Sequence, residues 1–302
     1  MRIASFLASG TEICVALGLQ ESIIAISHEC DWPPDVLDRP RISRPRFDPS
    51  GLSSGAIDSA LRRAMQEHGS VYEIDADLLT QLAPDIILTQ AVCAVCAVPT
   101  PGVRELVARR NMDARVVSLD AHTVQDILDS IVQVGAVTHT TGEAADVVAD
   151  LEARIDRVGH AVAGAPRPRV LALEWLDPPF TPGHWVPEMI DIAGGENLVG
   201  TAGGHSLQTT WAALHGLDPD VLLLMPCGYG LDATKRDAEA ARTQLHEIAA
   251  RALAERRTFV VDGSAYFNRS GPRFVNGIEI LAGLLHPELF AAPPADTAEP
   301  WT

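Results

Sequence analysis

Ala144, Val148, Leu151, Ile155, Val158 and Val162 recur in alternating steps of four and three, the spacing that puts apolar side chains on one face of an α-helix. Thr140-Thr141-Gly142-Glu143 has the form of a capping box ahead of the stripe, and Gly164 and Pro166 stop it. The stretch therefore reads as one amphipathic helix of about 21 residues, near 32 Å long at about 1.5 Å per residue. A rod of that length can join two bodies, so what lies on either side of it decides the fold.

On both sides, short aliphatic runs alternate with helical patterns. The runs are Arg2 to Phe6, Ile23 to Ser27, Asp85 to Thr89 and Arg115 to Ser118 before the rod, and Arg169 to Glu174, Val221 to Met225 and Thr258 to Asp262 after it. Such alternation predicts parallel sheets covered by helices. Ser9-Gly10-Thr11-Glu12 reads as a capping box opening the first helix, which ends near Gly18 and contains Cys14 as a buried structural thiol. A last helix is expected around Asn276 to Leu285. An internal echo links the halves. Leu78 to Leu88 and Trp211 to Leu224 each read as helix, Pro-Asp turn and buried strand, at Pro84-Asp85 and Pro219-Asp220. Trp211, on the helix of the second copy, is expected in the core. The predicted class is α/β: two Rossmann-like lobes with parallel sheets joined by one long helix. The expected divisions are an N-terminal lobe over residues 1–121, a helical segment over 122–166 and a C-terminal lobe over 167–290. Residues 291–302, without periodicity, are expected to be a disordered tail.

The formal charge of −17 repels phosphate backbones and anionic lipid, and no basic run offsets it. Nucleic acid is excluded as a partner, and no apolar run approaches the roughly 20 residues that membrane insertion needs. Met1-Arg2-Ile3-Ala4-Ser5-Phe6 runs straight into Gly10-Thr11-Glu12 without the order of regions that marks a secretory signal, so a cytoplasmic location is expected. Five cysteines in a reducing compartment suit metal or redox chemistry better than disulfides.

In parallel α/β sheets ligands bind outside the carboxyl ends of the strands. The loops there carry His28, Cys30 and Trp32, then Cys93 and Cys96, Trp175, His184 and Trp185, Cys227, and Tyr266 and Phe267. Neutral imidazole from His28 or His184 is a natural ligand for cobalt, iron or zinc, the alternative being a histidine that only hydrogen-bonds within its loop. Cys93-Ala94-Val95-Cys96 has the two-residue spacing that lets both thiolates reach one ion, and with Cys30 and Cys227 it could close a zinc site or hold an iron–sulfur cluster. A redox-active dithiol and inert thiols remain open beside that reading. Arg39 to Arg46 concentrates four arginines, of which Arg44 and Arg46 are the candidates for a ligand phosphate or carboxylate, with ion pairs to the acidic surface as the alternative. No Gly-rich phosphate loop, nucleophile elbow or His-Glu-x-x-His pair is present.

Several elements together resemble a known family. They are Pro-Asp before a strand in each lobe, the long helix, Pro178-Pro179-Phe180-Thr181-Pro182-Gly183 followed by Gly194-Gly195-Glu196-Asn197, and the Gly271-Pro272-Arg273 helix start. Over residues 1–288 the chain is similar to the class III substrate-binding proteins of ABC importers, which bind vitamin B12, haem or siderophores between lobes joined by a stiff helix. His28-Glu29-Cys30, Cys93-x-x-Cys96 and Met225-Pro226-Cys227-Gly228 resemble a subgroup described as cobalamin-binding. The resemblance implies a binding protein for cobalamin or a related metal chelate, more a binder than an enzyme. An ABC permease is implied as partner only if the protein is exported. Trp32, Trp175, Trp185, Tyr266 and Phe267 would supply apolar area against a flat macrocycle, or else fill the lobe cores. The competing reading is a Cys-ligated zinc or iron–sulfur metalloprotein or metalloenzyme that uses the same cleft for a small substrate.

Overall fold

A computed structural model describes residues 1–92 and 98–302. In the first half the chain runs β1 (Ile3–Ser5), α1 (Ala8–Ala16), β2 (Ile23–Ala25), β3 (Ser43–Pro45), α2 (Ser54–His68), β4 (Tyr72–Ile74), α3 (Ala76–Leu82), β5 (Ile86–Thr89), α4 (Thr100–Arg109), β6 (Arg115–Ser118) and α5 (Val124–Thr138). Helix α6 (Thr141–Val162) follows. The second half runs β7 (Arg169–Leu173), β8 (Trp175–Leu176), β9 (Pro179–Thr181), α7 (Val186–Ile192), β10 (Glu196–Asn197), β11 (Leu207–Gln208), α8 (Trp211–Leu214) and β12 (Val221–Leu224). It ends with α9 (Leu231–Ala240), α10 (Arg242–Ile248), α11 (Ala250–Ala254), β13 (Thr258–Val261), α12 (Gly263–Tyr266), α13 (Phe274–Leu285) and β14 (Ala298–Pro300).

Two sheets result. The first has the order β2-β1-β5-β6 and is parallel throughout; the second has the order β10-β7-β12-β13-β14 and is parallel except for β14. The fold is therefore the expected α/β arrangement of two parallel sheets around a long helix. Side chains alternate across each sheet, as a period of two requires. Ile3, Ile86 and Leu88 face one apolar cluster, while Ala4 and Ile87 face another under α2, α3 and α4. Val170, Ala172, Val221 and Leu223 join the first of these clusters, while Leu171, Leu173, Leu222 and Leu224 pack under α9, α10 and α11.

The first cluster runs from one sheet to the other through α5, α6, α7 and α13, so the two halves share a core. Ala144, Leu151 and Val158 of α6 are buried in it, with Val148 and Ile155 packed at its edge. The periodic stripe thus does what its spacing requires, and 22 residues give a rod of about 33 Å. Gly135 lets α5 and α6 touch, since a Cβ there would lie 3.0 Å from the Thr140 carbonyl oxygen and closer still to Ala144.

Three local expectations are corrected. Ser9 and Glu12 do not cap α1: the helix starts at Ala8 behind Leu7 with no side-chain cap, and both residues are buried inside it. Thr140 is the residue before α6, yet its side chain makes no cap bond, because the hydroxyl contacts Thr138 Oγ1 at 2.8 Å instead. The C-terminal residues are not a disordered tail. Residues 298–300 pair antiparallel with β13, Trp301 donates its backbone N–H to Thr258, and its ring is 7% exposed beneath the Arg242 guanidinium.

Replacing Trp301 with Ala should lower the free energy of unfolding in urea by about 3 kcal/mol, the lower range for emptying a buried aromatic site. A change within about 0.5 kcal/mol would mean that the terminal segment is not packed as described.

Candidate functional site

The carboxyl ends of the two sheets face each other, and the loops leaving them meet. Glu12, whose side chain is fully buried on α1, accepts from Arg273 Nη2 at 2.6 Å and Nε at 3.1 Å. Arg269 reaches Glu12 at 3.5 Å and holds Asp31 with two hydrogen bonds of 2.5 and 2.8 Å. The same guanidinium donates to the Glu29 carbonyl oxygen and to Ser264. The loop after β2 is thereby fastened to the loop after β13. Burial alone would raise the Asp31 carboxyl, but its hydrogen bonds with Arg269 and the positive charge of Arg273 bring it below the usual carboxylate value. Further along the seam, Ser9 Oγ lies 3.3 Å from Ser270 Oγ, Val124 N–H donates to Glu188 at 2.6 Å, and Arg62 donates to Gln208 at 2.9 Å. The lobes are closed on one another.

Along this seam the second lobe presents an aromatic pair. Trp175, at the start of β8, and Tyr229, in the loop after β12, have ring centroids 5.0 Å apart at 55°. The Trp175 indole donates to the Asp177 carbonyl oxygen at 3.0 Å. Burial, with Asp237 nearby, pushes the Tyr229 phenol up to about 12. Asp237 is itself raised by burial, with the charge of Asp177 adding to the effect. Trp32 stands 39% exposed at the Arg269 end, with the Arg273 guanidinium 4.8 Å from its ring. Tyr266 flanks the same guanidinium at 5.7 Å.

At the other end three imidazoles gather. His122, just after β6, lies 5.4 Å from His184 and 5.9 Å from His205, and the latter two are 5.4 Å apart. His184 takes a left-handed backbone conformation (φ 52°), fixed because its N–H donates to Gly204 and its carbonyl accepts from Gly203. Gly183 permits this approach, since any Cβ there would collide with the Ser206 backbone. Desolvation, then the neighbouring His122 and His205, lowers the His184 imidazole to about 4.

The remaining sequence candidates fall differently. Phe267 is wholly buried, and Trp185 is 8% exposed with its indole donating to the Phe267 carbonyl at 2.8 Å. Both are core residues and not ring platforms. Their neighbours Tyr266 and His184 are the partly exposed residues there. His28 is held within its own lobe, Nδ1 2.8 Å from Ser43 and its ring against Tyr72. Arg44 pairs with Glu73 across the antiparallel strands β3 and β4 at 2.7 Å, and Arg46, just past β3, is exposed. Arg41, not singled out by the sequence, clamps the loop by donating to the carbonyls of Ser27, His28 and Cys30.

Cys30 is 1% exposed with its sulfur 3.2 Å from Thr11 Oγ1, and burial raises its thiol. It faces the core and not the seam, against the expectation of a metal ligand. Cys14 is likewise buried, its thiol pushed up to about 12. Cys227 is partly exposed in the loop that carries Tyr229. Cys93 and Cys96 lie outside the described residues. Among the described residues no three His, Cys, Asp or Glu side chains are aimed to hold one ion. His122 and His205 are the site residues that sequence reasoning missed. The available signal was Gly203-Gly204-His205, a glycine-rich turn beyond the β10 strand end.

Two open grooves of about 400 and 470 Å³ run beside α6, and neither is lined by the aromatic pair or the three imidazoles. The second lies off the face where the loops converge, the first touches that face only through Pro272 and Arg273, and a groove with one wall of helix surface offers a solute few partners.

Comparison with known proteins places these features in context. The profile of the family described as "Periplasmic binding protein" matches residues 3–264. A curated relative, "Uncharacterized ABC transporter substrate-binding lipoprotein YvrC" of Bacillus subtilis (strain 168), is 22% identical over 298 residues, 96% of this chain and 81% of that protein. Two solved structures share the fold. A periplasmic heme binding protein from Pseudomonas aeruginosa has a TM-score of 0.70 at 19% identity, covering 100% of this chain and 95% of that one. The periplasmic vitamin B12 binding protein BtuF of Vibrio cholerae has a TM-score of 0.65 at 19% identity, covering 95% and 96%.

Glu12→Ala should destabilise the protein by about 3 kcal/mol in chemical denaturation, because it strands the part-buried Arg273 guanidinium, while Arg269 keeps Asp31. Asp31, depressed in the folded state, contributes stability that is full above its unfolded value and lost as pH falls through the folded one. The seam should therefore loosen below about pH 4, read as faster hydrogen exchange at the α13 N-terminus. Unchanged exchange there in acid would contradict the assignment.

Proposed function

Because the chain belongs to the periplasmic binding protein family, we propose that it closes its two lobes over a corrinoid such as cobalamin, or a related metal chelate. The observation that carries this reading is the Trp175–Tyr229 pair, two tilted rings at neighbouring strand ends on the inter-lobe face. Flat macrocycles present a broad apolar face with polar edges, and aromatic side chains bury large area against such a face while keeping polar handles. Trp32 and Tyr266 add aromatic surface at the other end of the seam, steadied by the Arg273 guanidinium. Relatives of similar fold that are described as binding vitamin B12 or heme support the same class of ligand.

The partner this reading calls for is an ABC permease, in keeping with the description of the Bacillus relative as a transporter component. That partnership needs export. The cytoplasmic location expected from the sequence is the competing arrangement, and fractionation of the native cell separates the two. No helix among the described residues is long and apolar enough to cross a membrane.

Cyanocobalamin and haemin titrated separately into the protein should give, for one of them, a shifted visible spectrum and colour retained through a desalting column. Trp175→Ala and Tyr229→Ala should each weaken that binding at least tenfold, about 1.4 kcal/mol. Loss of all colour with both chelates, or equal binding by the parent and both variants, would overturn the reading.

A further inference from the structure

Beside the Trp175–Tyr229 pair the second lobe sets two carboxylates. Asp177 stands exposed in the turn between β8 and β9, where the Trp175 indole meets its carbonyl oxygen, and Asp237 lies on α9, close enough for its charge to act on the Tyr229 phenol. We propose that Asp177 and Asp237 select the edge of the chelate, favouring a macrocycle whose rim carries primary amides, as a corrinoid does, over one whose rim carries carboxylates, as haem does. This inference rests on the chelate reading above and separates two ligands that the reading leaves together.

The first support is an unmet acceptor. Asp237 is 8% exposed, and its Oδ2 is buried with no partner among the described residues. A buried carboxylate oxygen without a donor is costly, and native structures seldom keep one without a functional reason. The cost shows in its acidity: burial raises the carboxyl, the charge of Asp177 raises it further, and the Ser54 hydroxyl, by hydrogen-bonding it, works in the other direction. An amide N–H on a ligand would supply the missing donor. A ligand carboxylate would instead bring a third negative charge to a pair already in mutual repulsion. Arg236, the cation whose charge reaches Tyr229, is exposed on α9, and the charge that acts on Asp237 is that of Asp177.

The second support is placement. Ser54 belongs to the first lobe, at the start of α2, so the donor that serves Asp237 comes from across the seam. Its neighbour Gly55 lies so close to Asp177 that any Cβ there would collide with the carboxylate. With the lobes closed, the start of α2 thus covers both acids, and parting the lobes uncovers them beside the two rings. A site built to hydrogen-bond a ligand group rejects an analogue that cannot complete the bond, because its buried polar atoms are then left unpaired.

The test compares ligands that differ at the rim. Cyanocobalamin and its b-, d- and e-monocarboxylic acids, each with one peripheral amide replaced by a carboxylate, are titrated into the full chain near neutral pH and followed by visible absorbance, with haemin as a second carboxylate-edged probe. The parent should bind cyanocobalamin at least tenfold more tightly than haemin and than at least one of the acids. Asp237→Asn, which keeps the side-chain shape and offers an amide N–H in place of an acceptor, should cut that preference at least fivefold. Asp177→Asn, at an exposed position where the fold tolerates change, should cut it in the same direction. Trp175→Ala should weaken cyanocobalamin and the acids alike and leave the preference as it is. Cyanocobalamin bound with an unchanged preference in both aspartate variants, or haemin bound more tightly than cyanocobalamin by the parent, would overturn this inference while the chelate reading stands. Binding of neither chelate would overturn that reading, and this inference with it.

Discussion

A carboxylate with no access to water must be matched by positive charge, and Glu12 obtains that charge from the other half of the molecule. Its position on α1 is set by the first sheet, whereas Arg269 and Arg273 belong to the end of the second. Removing either side leaves an ion stranded in a medium that solvates it poorly. The pairing therefore does more than add stability. It fixes which loops of the two lobes oppose each other, and so fixes the aromatic pair and the imidazoles relative to the first lobe. The shared apolar cluster through α5, α6, α7 and α13 holds the halves from behind, and the charged network holds them at the strand ends.

The rigidity of the arrangement follows from where its parts are anchored. Helix α6 is buried against both halves along its length, so a hinge cannot be placed in the middle of it without exposing Leu151. Movement between the lobes must instead be taken up at the seam, by exchanging contacts such as Arg62–Gln208 and Val124–Glu188. Those are single hydrogen bonds at the rim, each of modest net worth. The energetic gradient thus runs from a tight back to a loose front, as suits a protein that admits and releases a solute at one edge.

How much of this was legible in the sequence depended on whether the cause was local. The strands of both sheets were readable as short unbroken aliphatic runs, because helices cover both of their faces, and the long helix was readable from a stripe that repeats at about 3.6 residues. The ends of elements were harder. Ser9 and Glu12 have capping-box spacing, yet Glu12 is consumed by arginines more than 250 positions away, which no local pattern reveals. Trp185 and Phe267 were read as outward-facing because their loops are at strand ends; both turn into the core instead, and the partly exposed residues beside them are His184 and Tyr266. Arg44 was free to seek a ligand on paper, but β3–β4 pairing puts Glu73 directly opposite. The imidazole cluster was invisible because it draws one ring from each of three separated loops.

The strand over residues 298–300 has a consequence for how the molecule keeps to itself. It covers the edge of β13 with three antiparallel residue pairs. A bare edge there would offer a row of unpaired N–H and C=O groups as a template for a strand of another molecule. Trp301, packed under Arg242, pins that cover in place, so the same ring that fills an apolar pocket also guards the sheet against joining a second copy.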